Sequence, residues 1–154
     1  AERVFIVEDA TTRSSNNYTL TVKTVSGTGL TLPVGSTTVL YSDGTNITGK
    51  LQTKGYYTPT ATYTTVNGDQ VLIDTSGSGI SGPITINLPA SPAIGNEVTF
   101  IDSGNNLASN NLTVGRNGSN INGAASNLVV SANASAFTLV YVNATRGWVY
   151  KDKI

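Results

Sequence analysis

Nine carboxylates and nine basic side chains carry most of the reactivity available to this chain, which contains no histidine, no cysteine and no methionine. Imidazole acid–base catalysis, thiolate nucleophiles, disulfides and His- or Cys-ligated zinc are therefore outside its repertoire. The acids are Glu2, Glu8, Asp9, Asp43, Asp69, Asp74, Glu97, Asp102 and Asp152. Glycoside hydrolysis needs two of them facing each other across roughly 5–9.5 Å. Asp69 with Asp74, and Glu97 with Asp102, are the nearest candidates in sequence. An odd spacing of five along a strand puts the members of each pair on opposite faces. Most of the acids fall at strand ends or in turns, where solvated carboxylates belong. No catalytic residue is assigned, no cofactor is expected, and the chain is read as something other than an enzyme.

Two loops have the look of a calcium site, Asp102-Ser103-Gly104-Asn105-Asn106 and Asn117-Gly118-Ser119-Asn120-Ile121-Asn122-Gly123. Calcium wants six to eight oxygens, several of them carboxylate. The first loop offers one carboxylate at its start and the second none, so both read as Asx turns and no metal ligand is assigned. Ser26-Gly27-Thr28-Gly29 and the stretch 76–82 are Gly/Ser-rich, but neither ends in the Gly-Lys-Ser/Thr that reaches a nucleotide phosphate. Each leads into a strand rather than into a helix N-terminus.

Aromatic residues give two further candidates. Tyr141, Trp148 and Tyr150 cluster near the C-terminus and include the only tryptophan; exposed, they would stack on a sugar ring, and buried, they would form core. Tyr56, Tyr57 and Tyr63 sit on a Thr-rich stretch that also holds Pro59. Tyrosine is enriched at protein interfaces, which makes these three a candidate subunit contact.

The surroundings of these residues read as β throughout. Charged residues are only 12% of 154, and the net charge is zero. The usual charged share is about 25%, so the polar surface here is Thr, Ser, Asn and Gly, which favour strands and tight turns. A neutral chain offers no basic face to a phosphate backbone, and nucleic acid is not an expected partner. The apolar run at 4–7 is followed at once by Glu8 and Asp9, too short and too acidic for a secretory signal. No run approaches the ~20 residues that cross a bilayer, so membrane insertion is not expected.

The apolar run at 4–7 reads as a first strand, and alternation with period 2 predicts strands at 18–25, 38–41, 46–50, 71–74, 84–88, 97–101, 112–114, 128–131, 137–142 and 148–151. A short edge-like piece at 30–33 is closed by Pro33. Asp43-Gly44 between two such runs signals a hairpin. No stretch has helical periodicity with caps at both ends. The expected fold is all-β: a small N-terminal β-module at 1–57, a connector at 58–68, and an antiparallel, jelly-roll-like β-sandwich at 69–154, with no substantial helix. One pattern also recurs. Asn16-Asn17-Tyr18-Thr19-Leu20-Thr21-Val22 precedes the hairpin around Asp43, and Asn110-Asn111-Leu112-Thr113-Val114 precedes a second one around Asn143. Repetition of this kind suggests small modules in series.

The stretch from Val71-Leu72-Ile73-Asp74 through Ile84-Thr85-Ile86-Asn87-Leu88-Pro89 to Glu97-Val98-Thr99-Phe100 resembles a module of bacteriophage tail fibres and related virion proteins, as do Asn111–Gly123 and Phe137–Val149. Tyr18–Thr24 with Val39–Asn46 resembles another short segment of phage fibre and base-plate chains. The resemblance covers most of the chain and brings no catalytic motif with it. It implies a β-rich, oligomeric, often trimeric virion protein, made in the host cytoplasm and carried on the tail or capsid surface. The implied function is host-surface recognition or adhesion, with capsid decoration or cementing as the alternative and a polysaccharide depolymerase as a weaker one. The implied partners are copies of itself as a homotrimer, other virion proteins and a host surface glycan. One departure matters: fibres are usually much longer than this chain, which points to an isolated tip, a tail adaptor or a cement protein.

Overall fold

A computed structural model describes residues 2–10, 20–32, 35–53 and 55–153. Among these residues there are fourteen strands and no helix, so the chain is all-β. The strands gather around two hydrophobic cores.

The first core is small. β1 (Arg3–Glu8), β4 (Thr37–Ser42) and β5 (Ile47–Thr53) form an antiparallel sheet in the order β1-β4-β5, and β2 (Leu20–Val22) pairs with β3 (Leu30–Leu32). Leu32, Leu40 and Ile47 are buried, with Val7, Leu20, Val22 and Leu30 packed on them. Tyr18, from the strand expected at 18–25, lies outside the described residues, as does Pro33. The Asp-Gly hairpin forms as its sequence requires. The Asp43 carboxylate accepts the backbone N–H groups of Thr45 and Asn46, each at 2.7 Å, and Gly44 adopts a φ of 93° that side chains resist.

The second core is larger and is built as a coil. β6 (Tyr56–Tyr57), β8 (Gln70–Ile73) and β10 (Glu97–Asp102) run parallel in one sheet. β7 (Tyr63–Thr64), β9 (Ile84–Asn87) and β11 (Leu112–Gly115) run parallel in the other. The chain alternates between the two sheets at each step. Antiparallel strands then close the coil: β12 (Leu128–Val130) on β11, and β13 (Ala136–Asn143) with β14 (Gly147–Lys153) on β10. The final sheet orders are β14-β13-β10-β8-β6 and β12-β11-β9-β7.

The inward residues follow the alternation. Val71, Ile73, Ile84, Ile86, Val98, Phe100, Leu112, Val114 and Leu139 are at most a few per cent exposed. Burying each such side chain contributes about 1.5–3 kcal/mol. The sandwich is thus mixed rather than purely antiparallel: a period-2 pattern turns alternate residues inward for either strand direction, so only the connections reveal the difference. Tyr56 and Tyr57, which the sequence placed in the first module, pair with Gln70 and Val71 of the second. The chain passes from one sheet system to the other between Thr53 and Tyr56. The recurring hairpins are real, β4-β5 with one register shift and β13-β14 with two. The strands preceding them differ in setting, since β2 lies in an antiparallel pair while β11 has a parallel neighbour.

Candidate binding surfaces

The tyrosine stretch forms the first turn of the coil. Tyr57 and Tyr63 meet with ring centroids 4.8 Å apart. Tyr63 is buried, and its hydroxyl donates to Asp69 Oδ2 at 2.8 Å. The N–H of Val66 donates to the same oxygen at 2.9 Å. Tyr63 is therefore core of its own chain, which corrects its place in a subunit contact. The physical reason is that β7 supplies the outermost strand of a sheet whose inward face needs a large side chain beside Ile86. Tyr57 packs partly buried on the same core. Tyr56, 59% exposed, is the member of the three that faces outward.

The C-terminal aromatics are also mostly internal. Trp148 is fully buried, with Tyr141 edge-on to it at 5.6 Å. It offers no face to a sugar and forms core, which corrects its place as a glycan contact. A parallel bridge from Ile121 and the N–H of Trp148 donating to Asn120 hold the 117–123 loop against it. Tyr150 packs edge-on to Phe137, which stacks on Phe100. Partial burial raises the Tyr150 phenol above its ordinary pKa.

The carboxylates serve the architecture. Asp74 accepts both the N–H and the hydroxyl of Ser76, and these bonds hold its pKa below the ordinary carboxylate value. The 76–82 loop beside it is closed by a Ser76–Ser81 bridge. Asp102 accepts the N–H groups of Ala134 and Asn106. Glu97 pairs with Lys151 at 2.8 Å on the surface. The two calcium-like loops are tied down from within: Asn106 donates its amide to the Thr75 carbonyl, and Asn117 to the Leu88 carbonyl. Asn105, Asn117 and Asn122 take positive φ, as turn asparagines do. Among the described residues, no group of three or more acids is placed to hold a metal ion.

Two further surfaces stand out. The first is β1, an edge strand whose Val4 and Ile6 are 67% and 74% exposed. Across the sheet they adjoin Tyr41 and Val39, which gives an apolar outer face. The unbroken run Val4-Phe5-Ile6-Val7 was the available signal, since a half-buried strand alternates and this one does not. The second is an open groove of about 290 Å³ beside β12, lined by Leu128, Val129 and Val130 and by Phe137 and Tyr150. Of the proposed glycan contacts, only Tyr150 lines it.

Comparison with known proteins adds little to this geometry. No family model and no curated protein matches the chain. A chain from a structure of a chaperone–substrate complex is similar at a TM-score of 0.49 and 16% identity, over 97% of this chain but 27% of that one.

Proposed function

We propose that this chain is a structural protein of a bacteriophage virion, of the tail-fibre type, that associates as a homotrimer and takes part in recognising the host surface. The observation that carries the reading is architectural. Two separate cores lie in series, one of them a short coil of strands, and their surface polarity comes from Thr, Ser and Asn rather than from charge. Coiled strands stacked on their neighbours make a scaffold that extends along one axis. The carboxylates that a hydrolase would use are instead engaged in turns, a buried hydrogen bond and a surface ion pair. The resemblance to fibre modules spans the same strands.

Capsid decoration is the second reading, favoured by the apolar outer face of the β1 sheet, which suits a clamp onto neighbouring coat subunits. Adsorption experiments separate the two. Purified protein added to host cells before infection should compete with particles for attachment if it is an adhesin. If it is a cement protein, attachment should be unchanged, and particles lacking it should lose their DNA at lower temperature.

A further inference from the structure

The two sheets of the second body do not match at their growing end. Following the coil, β6 accompanies β7, β8 accompanies β9, and β10 accompanies β11. Beyond that point one sheet adds β13 and β14, while the other adds only β12. Among the described residues, the four-stranded sheet is one strand short. The groove beside β12 lies at that position. Its wall is β12 itself, and its floor is Phe137 of β13 and Tyr150 of β14. β12 has a ladder partner on one side, β11. Its other edge is a template for a further strand. Val129, in the middle of that strand, is 57% exposed.

The same chain presents a strand suited to this place. Among the described residues, β1 has a partner on one side only, β4. It is apolar on both faces at Val4, Phe5 and Ile6, all exposed. Its ends carry Arg3 and Glu8, so it brings no net charge to a groove with no charged residue in its lining. Six residues span about 20 Å, a normal strand length. Strand addition of this kind takes its affinity from backbone hydrogen bonds and its fit from alternate side chains.

We propose that β1 of one copy adds beside β12 of the next, completing its four-stranded sheet. The proposal rests on the self-association put forward above and names the surfaces that carry it. The contact joins two different patches, so it is heterologous, and a closed ring forms when the rotation between copies returns to its start. Phe5 then lies over Phe137 and Tyr150, Val4 and Ile6 come beside Val129 on the outer face, and water leaves both apolar surfaces.

The absence of cysteine makes the test clean. Full-length Ile6→Cys and Val129→Cys chains are prepared singly, and also co-folded as a mixture, then treated with a short bis-maleimide. The expected result is a linked dimer in the mixture and little in either variant alone. A strong link in Ile6→Cys alone would show β1 pairing with β1 and overturn the proposal. Ile94→Cys, exposed on a different loop, serves in place of Val129→Cys as the control; equal linking there would also overturn it. Val129→Lys and Ile6→Lys, at exposed positions, should each reduce the mass by light scattering to that of the single chain with an unchanged far-ultraviolet spectrum. If the wild type is a trimer and neither lysine alters it, the surfaces are wrongly assigned while self-association stands. If the wild type is monomeric at all concentrations, both proposals fail.

Discussion

Replacing Tyr63 with Phe tests whether the tyrosine stretch belongs to the interior of one chain. The substitution leaves the ring in place beside Tyr57 and Ile86, so little apolar burial changes. It removes the hydroxyl that donates to the buried Asp69 carboxylate, which retains the bond from Val66 N–H. A hydrogen bond to a charged group is worth about 1.5–3 kcal/mol. With a urea m-value of about 2 kcal/mol/M for a domain of this size, a loss near 2 kcal/mol lowers the unfolding midpoint by about 1 M. Fluorescence of Trp148 is the readout, because this sole tryptophan is fully buried in the same core. The measurement is made at two protein concentrations an order of magnitude apart. A residue in the core of one chain gives the same midpoint shift at both, whereas a residue between subunits gives a shift that depends on concentration. A shift below about 0.2 M, where the bond alone is worth several times more, or one that changes with concentration, would refute the assignment.

Further outcomes follow from the turns. Gly147 takes a φ of 69°, and a Cβ there would collide with the backbone of Asn120, whereas Gly118 at 96° has open space around it. Gly118→Ala should cost about 1–2 kcal/mol for the backbone conformation, and Gly147→Ala clearly more, both read from denaturant midpoints. Asp43 is held below its ordinary pKa by the backbone N–H groups of Asn46 and then Thr45, and Asp74 by the hydroxyl and N–H of Ser76. A depressed carboxylate contributes stability that is present above the unfolded value and lost as pH falls through the folded one. Midpoints should therefore drop on acidification below about pH 4, and Asp43→Asn with Asp74→Asn should flatten that slope. Lys151→Ala should leave the denaturant midpoint nearly unchanged, since its pair with Glu97 is solvent-exposed and screened.

The sequence carried the local structure because the local structure has local causes. Ile84-Thr85-Ile86-Asn87 and Val98-Thr99-Phe100 alternate, and the structure turns Ile84, Ile86, Val98 and Phe100 inward. Asp43-Gly44 forms its hairpin from side-chain and backbone groups within four residues. Strand direction has no such signature. β8 and β10 are parallel neighbours although 23 residues separate Ile73 from Glu97 in the chain, with a strand of the other sheet between them. Tyr63 looked like surface because its own stretch has few apolar residues; its partners, Ile86 and Asp69, arrive from elsewhere in the fold. Trp148 gave an ambiguous signal for a similar reason, since aromatic residues serve core and recognition alike, and the 117–123 loop that covers it is distant in sequence. The groove beside β12 was not legible at all, because it arises from unequal strand counts in two sheets rather than from any motif.

Antibody labelling of intact, purified particles, viewed by electron microscopy, tests the central claim most directly. A virion structural protein of the proposed kind predicts label at fixed positions on every particle, at the distal tail for an adhesin, with three copies related by a threefold axis at each site. Particles that carry no label, while the protein accumulates free in the infected cell, would contradict it.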